Sequence, residues 1–209
     1  MVQLLDKWLL KEQKQILENF SLLNQIGVAD PQLIFLGDSI MEYYPLRELL
    51  KTDKVLVNRG VRGYKSFQIL ENLTLHIYGS QLEKVFLMIG TNDLAMNLSQ
   101  EETVENIRFI IRFIKQQYPS VEIFLLSVLP VNEEECFRSM VYIRTNVKIS
   151  KLNGAYESLA SEEEGVTYVP VYEAFLDDHG QLGICYTIDG LHLNIIGYEL
   201  LSRILQSYL

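Results

Sequence analysis

A three-layer α/β domain, with a five-stranded parallel sheet and helices on both faces, is predicted by three features of this 209-residue chain. Five short runs rich in β-branched and aromatic residues are apolar almost throughout, as strands covered on both faces are. Helical patterns lie between them, and parallel neighbours need such long crossovers. No internal repeat, low-complexity stretch or Pro/Gly/Ser-rich linker divides residues 1–209, and at roughly 150 residues per domain the length fits a single domain with decorations.

The elements follow in order. A helix over Leu4–Ile26 is expected to pack on the domain as an N-terminal addition within residues 1–30. Strands are expected at Gln32–Leu36, Lys54–Asn58, Lys84–Ile89, Glu122–Ser127 and Val166–Val171. Helices over Lys65–Leu75, Glu101–Tyr118, Arg138–Ala160 and Ile195–Tyr208 fill the connections. The clearest is the second of these, with Val104, Ile107, Ile111, Ile114 and Tyr118 on one stripe. Ser99 and Glu102 form a capping box at its start, and Pro119 ends it.

Composition removes several function classes. Lys plus Arg total 18 against 27 Asp plus Glu, a net charge of −9 with no basic run. A polyphosphate needs clustered positive charge, so nucleic acid is not an expected partner. Two cysteines, Cys136 and Cys185, stand too far apart for a disulfide framework or a thiolate metal cluster, and they fit a reducing, cytoplasmic compartment. Asp6, Lys7, Lys11, Glu12 and Lys14 interrupt the apolar cluster of Leu4, Leu5, Trp8, Leu9 and Leu10. No secretory core forms there, and no apolar run reaches the roughly 18 residues of a membrane span. The Asn-x-Ser/Thr triplets at Asn19, Asn72 and Asn97 then read as chance. Neither metal nor cofactor is expected, because only three histidines occur and none has ligand spacing.

In an open α/β sheet, ligands bind beyond the carboxyl ends of the strands. Gly37-Asp38-Ser39-Ile40 follows the first strand, Asn58-Arg59-Gly60-Val61-Arg62-Gly63 the second, and Gly90-Thr91-Asn92-Asp93 the third. The loop before the last helix carries Asp189-Gly190-Leu191-His192-Leu193-Asn194. Each alone reads as a turn, a surface pair or a helix cap. Together they supply a hydroxyl nucleophile, an imidazole base, a carboxylate to orient it and donors for an oxyanion.

These four blocks resemble those of the SGNH (GDSL-type) hydrolases, and Asn58–Gly63 with Asp189–Asn194 most resemble the platelet-activating-factor acetylhydrolase-like branch. The resemblance spans about Leu33 to Leu205 and leaves the first 30 residues outside. It implies a flavodoxin-like sheet and ester hydrolysis without metal or cofactor. By matched position it implies Ser39 as nucleophile, His192 as base and Asp189 as its partner. The implied oxyanion donors are the Ser39 and Gly63 backbone N–H groups and the Asn92 side-chain amide, with Gly60 competing with Gly63. Tyr64 departs from the branch, whose members often carry Asp there, and is assigned to the substrate pocket instead.

The remaining conspicuous residues divide by position. Tyr43, Tyr44 and Phe137 join Tyr64 as pocket aromatics, and Asn132–Asn146 reads either as the first turn of the next helix or as a wall over Ser39. Asp38 and Asp93 brace their loops, His76 is structural, and Asp177-Asp178-His179-Gly180 is a turn. Cys136, behind three glutamates, is not read as a nucleophile. The expected activity is removal of a short acyl group from a small or carbohydrate-linked ester. An acyltransferase or thioesterase would use the same residues, and a noncatalytic ligand-binding module would keep the fold alone. A homodimer through the exposed face of the first helix, including Trp8, and packing of that face on its own domain both remain open.

Overall fold

The computed structural model describes residues 2–27 and 29–209, with side chains described from Lys7 onward. Met1 and Val28 of the N-terminal segment, and the side chains of Leu4 and Leu5, lie outside the described set. Helix α1 (Val2–Ile26) precedes strand β1 (Leu33–Gly37), and the short helices α2 (Ser39–Glu42) and α3 (Leu46–Leu49) lead to β2 (Leu56–Gly60). Helices α4 (Ser66–Glu71) and α5 (Leu73–His76) lead to β3 (Lys84–Met88). Helices α6 (Thr91–Ala95) and α7 (Gln100–Gln117) then connect to β4 (Glu122–Leu126). Helices α8 (Arg138–Val141) and α9 (Asn146–Glu162) precede β5 (Val166–Val169), and α10 (Ile195–Leu205) closes the order.

The five strands are parallel in the order β2-β1-β3-β4-β5. This is the flavodoxin-like order, and its switch point lies between β1 and β3, where the chain leaves for opposite edges. Alternate residues of the central strands enter opposite cores. Ile34, Leu36, Val85, Leu87, Ile123 and Leu125 join the cluster packed with α7 and α9. Leu33, Phe35, Phe86, Met88, Phe124 and Leu126 join the one packed with α10. Register places Phe35 beside Phe86 and Phe86 beside Phe124, and their rings stack at 4.6 and 4.8 Å.

Differences from the sequence expectation fall at element ends and at the sheet edges. Strand β2 begins two residues late, since Thr52 Oγ1 accepts the Lys54 N–H in a turn, and it therefore includes Asn58, Arg59 and Gly60. Edge strands β2 and β5 are only partly covered, so the expected burial on both faces holds for the central strands alone. The helix expected over Lys65–Leu75 breaks at Asn72, whose side chain donates to Gln68 O. The one expected over Arg138–Ala160 splits at Tyr142, where φ is 61°, and restarts with Thr145 Oγ1 accepting the Lys148 N–H. The Ser99–Glu102 capping box forms as read.

Candidate active site

Strand β1 delivers Ser39 to the switch point as the first residue of α2. Asp38 is its N-cap, with Oδ1 accepting the Ile40 N–H at 2.9 Å. That carboxyl is buried, and burial pushes its pKa up to about 6. Its bracing role is the one expected.

The loop before α10 brings the histidine back across the sheet. Asp189 Oδ1 accepts the Leu191 and His192 backbone N–H groups at 3.1 and 2.7 Å, and its Oδ2 lies 2.7 Å from His192 Nδ1. Burial raises the Asp189 pKa, but the bonds from the His192 ring and backbone outweigh it and hold the carboxyl below its ordinary value. Since an ionised carboxylate only accepts, Nδ1 carries the proton and Nε2 is the free lone pair. Ser39 Oγ sits 2.9 Å from that Nε2. Thr187 pins the loop: its Oγ1 donates to His192 O at 2.7 Å and accepts the Gly190 N–H at 2.9 Å. Gly190 has φ +81° and a Cβ there would lie 2.6 Å from Phe137, so the turn admits no side chain. Asn194 caps α10 through the Gly197 N–H.

Across the switch point, Asn92 stands in α6. Its Nδ2 donates to Tyr64 O at 3.0 Å, and its Oδ1 accepts from Arg144 Nη2 at 2.9 Å. Asp93 beside it is buried and accepts the Ser66 N–H, tying α6 to the start of α4. Burial raises its pKa. Gly63 lies in the turn closed by the Tyr64 N–H on Val61 O, with φ +72°. Helix α1 supports that turn: Gln13 Nε2 donates to Arg62 O at 2.8 Å, and a Cβ on Gly63 would meet Leu9 at 2.9 Å. Gly60 is differently employed. Its N–H donates to Asn58 Oδ1 at 2.9 Å, and a Cβ there would lie 2.2 Å from Glu42 N.

Two expectations about aromatic residues need correction. The Tyr64 side chain is 2% exposed and packs edge-on against His76, so its ring belongs to the core and only its carbonyl reaches the site. Tyr44 is buried too, bonded to Ser202 Oγ and stacked on Tyr198. In the segment Asn132–Asn146, Asn132 N donates to Gly190 O and Phe137 packs on Gly190. Tyr43 does stand beside the histidine, 45% exposed, with its ring 5.7 Å from that of His192. Arg62, paired with Glu42, lies 5.5 Å from the centre of the Tyr43 ring.

His76 is buried away from the site, and Asp177 Oδ1 accepts the His179 and Gln181 N–H groups in a turn. Among the described residues, no group of three or more His, Cys, Asp or Glu is placed to hold a metal ion, and no helix is long and apolar enough to cross a membrane. Arg144 falls in the Asn132–Asn146 segment, read from sequence as either a helix turn or a wall, and its bond to Asn92 was missed. No spacing rule links residues 52 apart.

A parallel α/β sheet with a serine, a histidine and an aspartate in one hydrogen-bonded line at its carboxyl end defines the class. Residues 35–200 match the GDSL-like Lipase/Acylhydrolase family, and the chain belongs to that family. It is 27% identical over 188 residues to an N-acylneuraminate cytidylyltransferase of Escherichia coli O18:K1:H7 (strain RS218 / NMEC), a match covering 85% of this chain and 39% of that protein. It is 26% identical over 156 residues to an isoamyl acetate-hydrolyzing esterase of Saccharomyces cerevisiae, covering 69% of this chain and 64% of the esterase. The chain thus spans less than two thirds of either relative's length. Among solved structures, a Streptococcus pneumonia protein provisionally described as a platelet activating factor superposes with a TM-score of 0.97 at 50% identity, covering 99% of this chain and 97% of that one. An acetylxylan esterase of Geobacillus stearothermophilus shares the fold at 17% identity, with a TM-score of 0.65 over 86% of this chain and 94% of that one.

Proposed function

We propose that this chain is a serine esterase that removes a short acyl group, acetyl first, from a small or carbohydrate-linked ester through an acyl-enzyme. The observation that carries the reading is the continuous line from Ser39 Oγ to His192 Nε2 at 2.9 Å and from His192 Nδ1 to Asp189 Oδ2 at 2.7 Å. A serine hydroxyl is a weak nucleophile until a base takes its proton during attack. Nε2 is the base, and the Asp189 carboxylate stabilises the imidazolium that results. Ser39 Oγ adds to the ester carbonyl carbon, and the carbonyl oxygen takes up the negative charge. The Ser39 N–H, the Gly63 N–H and the Asn92 Nδ2–H are the donors assigned to that oxygen, each worth about 10²–10³ in rate. Gly63 is preferred to Gly60, whose N–H is already given to Asn58.

Collapse of the intermediate expels the alcohol, which receives the proton from His192. Water then attacks the acyl-enzyme, His192 takes its proton, and Ser39 leaves with a proton restored. The acetyl preference is supported by the ester named for the yeast relative. Intact mass after a fluorophosphonate tests the reading: one adduct on the wild type and none on Ser39→Ala supports it, and an unmodified, folded wild type refutes it. A panel of acetyl to octanoyl esters then reads acyl length.

A further inference from the structure

We propose that Arg144 is a positioning residue for the oxyanion amide: its guanidinium locks Asn92 with Nδ2 toward the reacting carbonyl and polarises that amide. The inference rests on the esterase reading above. Asn92 has one acceptor and two N–H donors on its side chain. Arg144 Nη2 occupies the acceptor at 2.9 Å, and Tyr64 O takes one N–H at 3.0 Å. A flipped amide would turn its NH₂ group onto the guanidinium and its oxygen onto the Tyr64 carbonyl, losing both bonds and setting donor against donor. The second N–H is therefore held in one direction, which a surface asparagine never guarantees. A charge-assisted bond at Oδ1 also draws electron density from the amide, making the remaining N–H a better donor.

The rest of the guanidinium is fastened to match. Nε donates to Thr91 O at 2.8 Å, one residue before Asn92, and Nη1 donates to Met140 O and Val141 O at 3.1 Å each. Arg144 is 7% exposed, and every one of these acceptors is a neutral amide oxygen. A buried cation whose bonded partners are all neutral is a costly way to brace a loop. Beside a position where negative charge develops, the same charge lowers the barrier without reorganising. The carboxylates of Asp38 and Asp189 are the charged groups whose field it feels, and Arg144 stays protonated throughout.

A double-mutant cycle tests the proposal. Arg144→Gln should lower kcat about 10- to 100-fold with KM within about 2-fold, and should cost less than about 3-fold when Asn92 is already Ala. Equal losses in both backgrounds would make Arg144 a brace independent of Asn92 and overturn it, as would a raised KM with kcat intact. Arg144→Lys keeps the charge but not the fork, so it should recover only part of kcat; it replaces the Gln variant if that variant does not fold. A second readout does not depend on turnover: exchange of the Asn92 side-chain N–H protons followed by NMR. Slow exchange in the wild type and fast exchange in Arg144→Gln supports the lock, and equal rates refute it. If the wild type has no Ser39-dependent turnover, the esterase reading fails while the exchange measurement still decides the role of Arg144.

Discussion

Two histidines place the two polar regions of this molecule side by side. At the carboxyl end of the sheet, His192 has both ring nitrogens engaged, one by Ser39 and one by Asp189. Beneath α1, His76 is fully buried and edge-on to Phe20 and Tyr64, with neither ring nitrogen bonded to another side chain among the described residues. Its neighbour Arg59 is also buried, with its guanidinium between the rings of Phe20 and Tyr78 at 4.4 and 4.6 Å and one bond to Asn24. Burial, reinforced by the Arg59 charge, brings His76 down to about 4. The same side chain thus has both nitrogens engaged in one region and is a neutral packing group in the other. What separates them is the neighbours that the topology supplies.

The largest effect that would break this contrast is on turnover. Ser39→Ala should lower kcat about 10⁴-fold or more, measured with acetyl esters against the wild type. Asn92→Ala should follow, lowering kcat about 10²–10³-fold with KM little changed; an unaltered kcat would remove Asn92 from the oxyanion site.

The buried region should answer through pH and stability. Because folding depresses the His76 pKa from 6.5 to about 4, the stability it contributes is present above pH 6.5 and lost as pH falls toward 4. His76→Phe should flatten that fall by about 3 kcal/mol, read from urea unfolding at pH 7.5, 5.5 and 4. Parallel curves for wild type and variant would place the acid sensitivity elsewhere.

Asp38 should act in the opposite sense, and by slightly less. Its pKa rises on folding from 3.8 to about 6, so its contribution is complete below 3.8 and lost as pH rises through 6. Asp38→Asn keeps an oxygen for the Ile40 N–H and should gain on the wild type by about 2–3 kcal/mol between pH 4 and 7. A constant difference in the same urea series would mean the carboxyl is not buried as described.

Much of the fold was legible because it is local. The apolar runs that became β1, β3 and β4 carry their own signature, and so do the Ser99–Glu102 box and the Asn194 cap. Ser39, Asn92, Asp189 and His192 were legible because each sits in a short polar block just after a strand or just before a helix. The aromatic residues were not. Tyr43 and Tyr44 are adjacent in sequence, yet one flanks His192 and the other bonds Ser202, since Tyr43 caps the end of α2 and Tyr44 lies just beyond it, where the helix no longer sets the side-chain direction.

The sequence by itself determined the alternation of strands and helices and the residue types gathered at one end of the sheet, because periodicity and turn chemistry act over a few residues. Tertiary structure alone decided that Tyr64 offers its carbonyl and not its ring, that α1 supports the Gly63 turn, and that Arg144 holds Asn92. Those contacts join residues tens of positions apart, and only the packed chain brings their atoms within bonding distance.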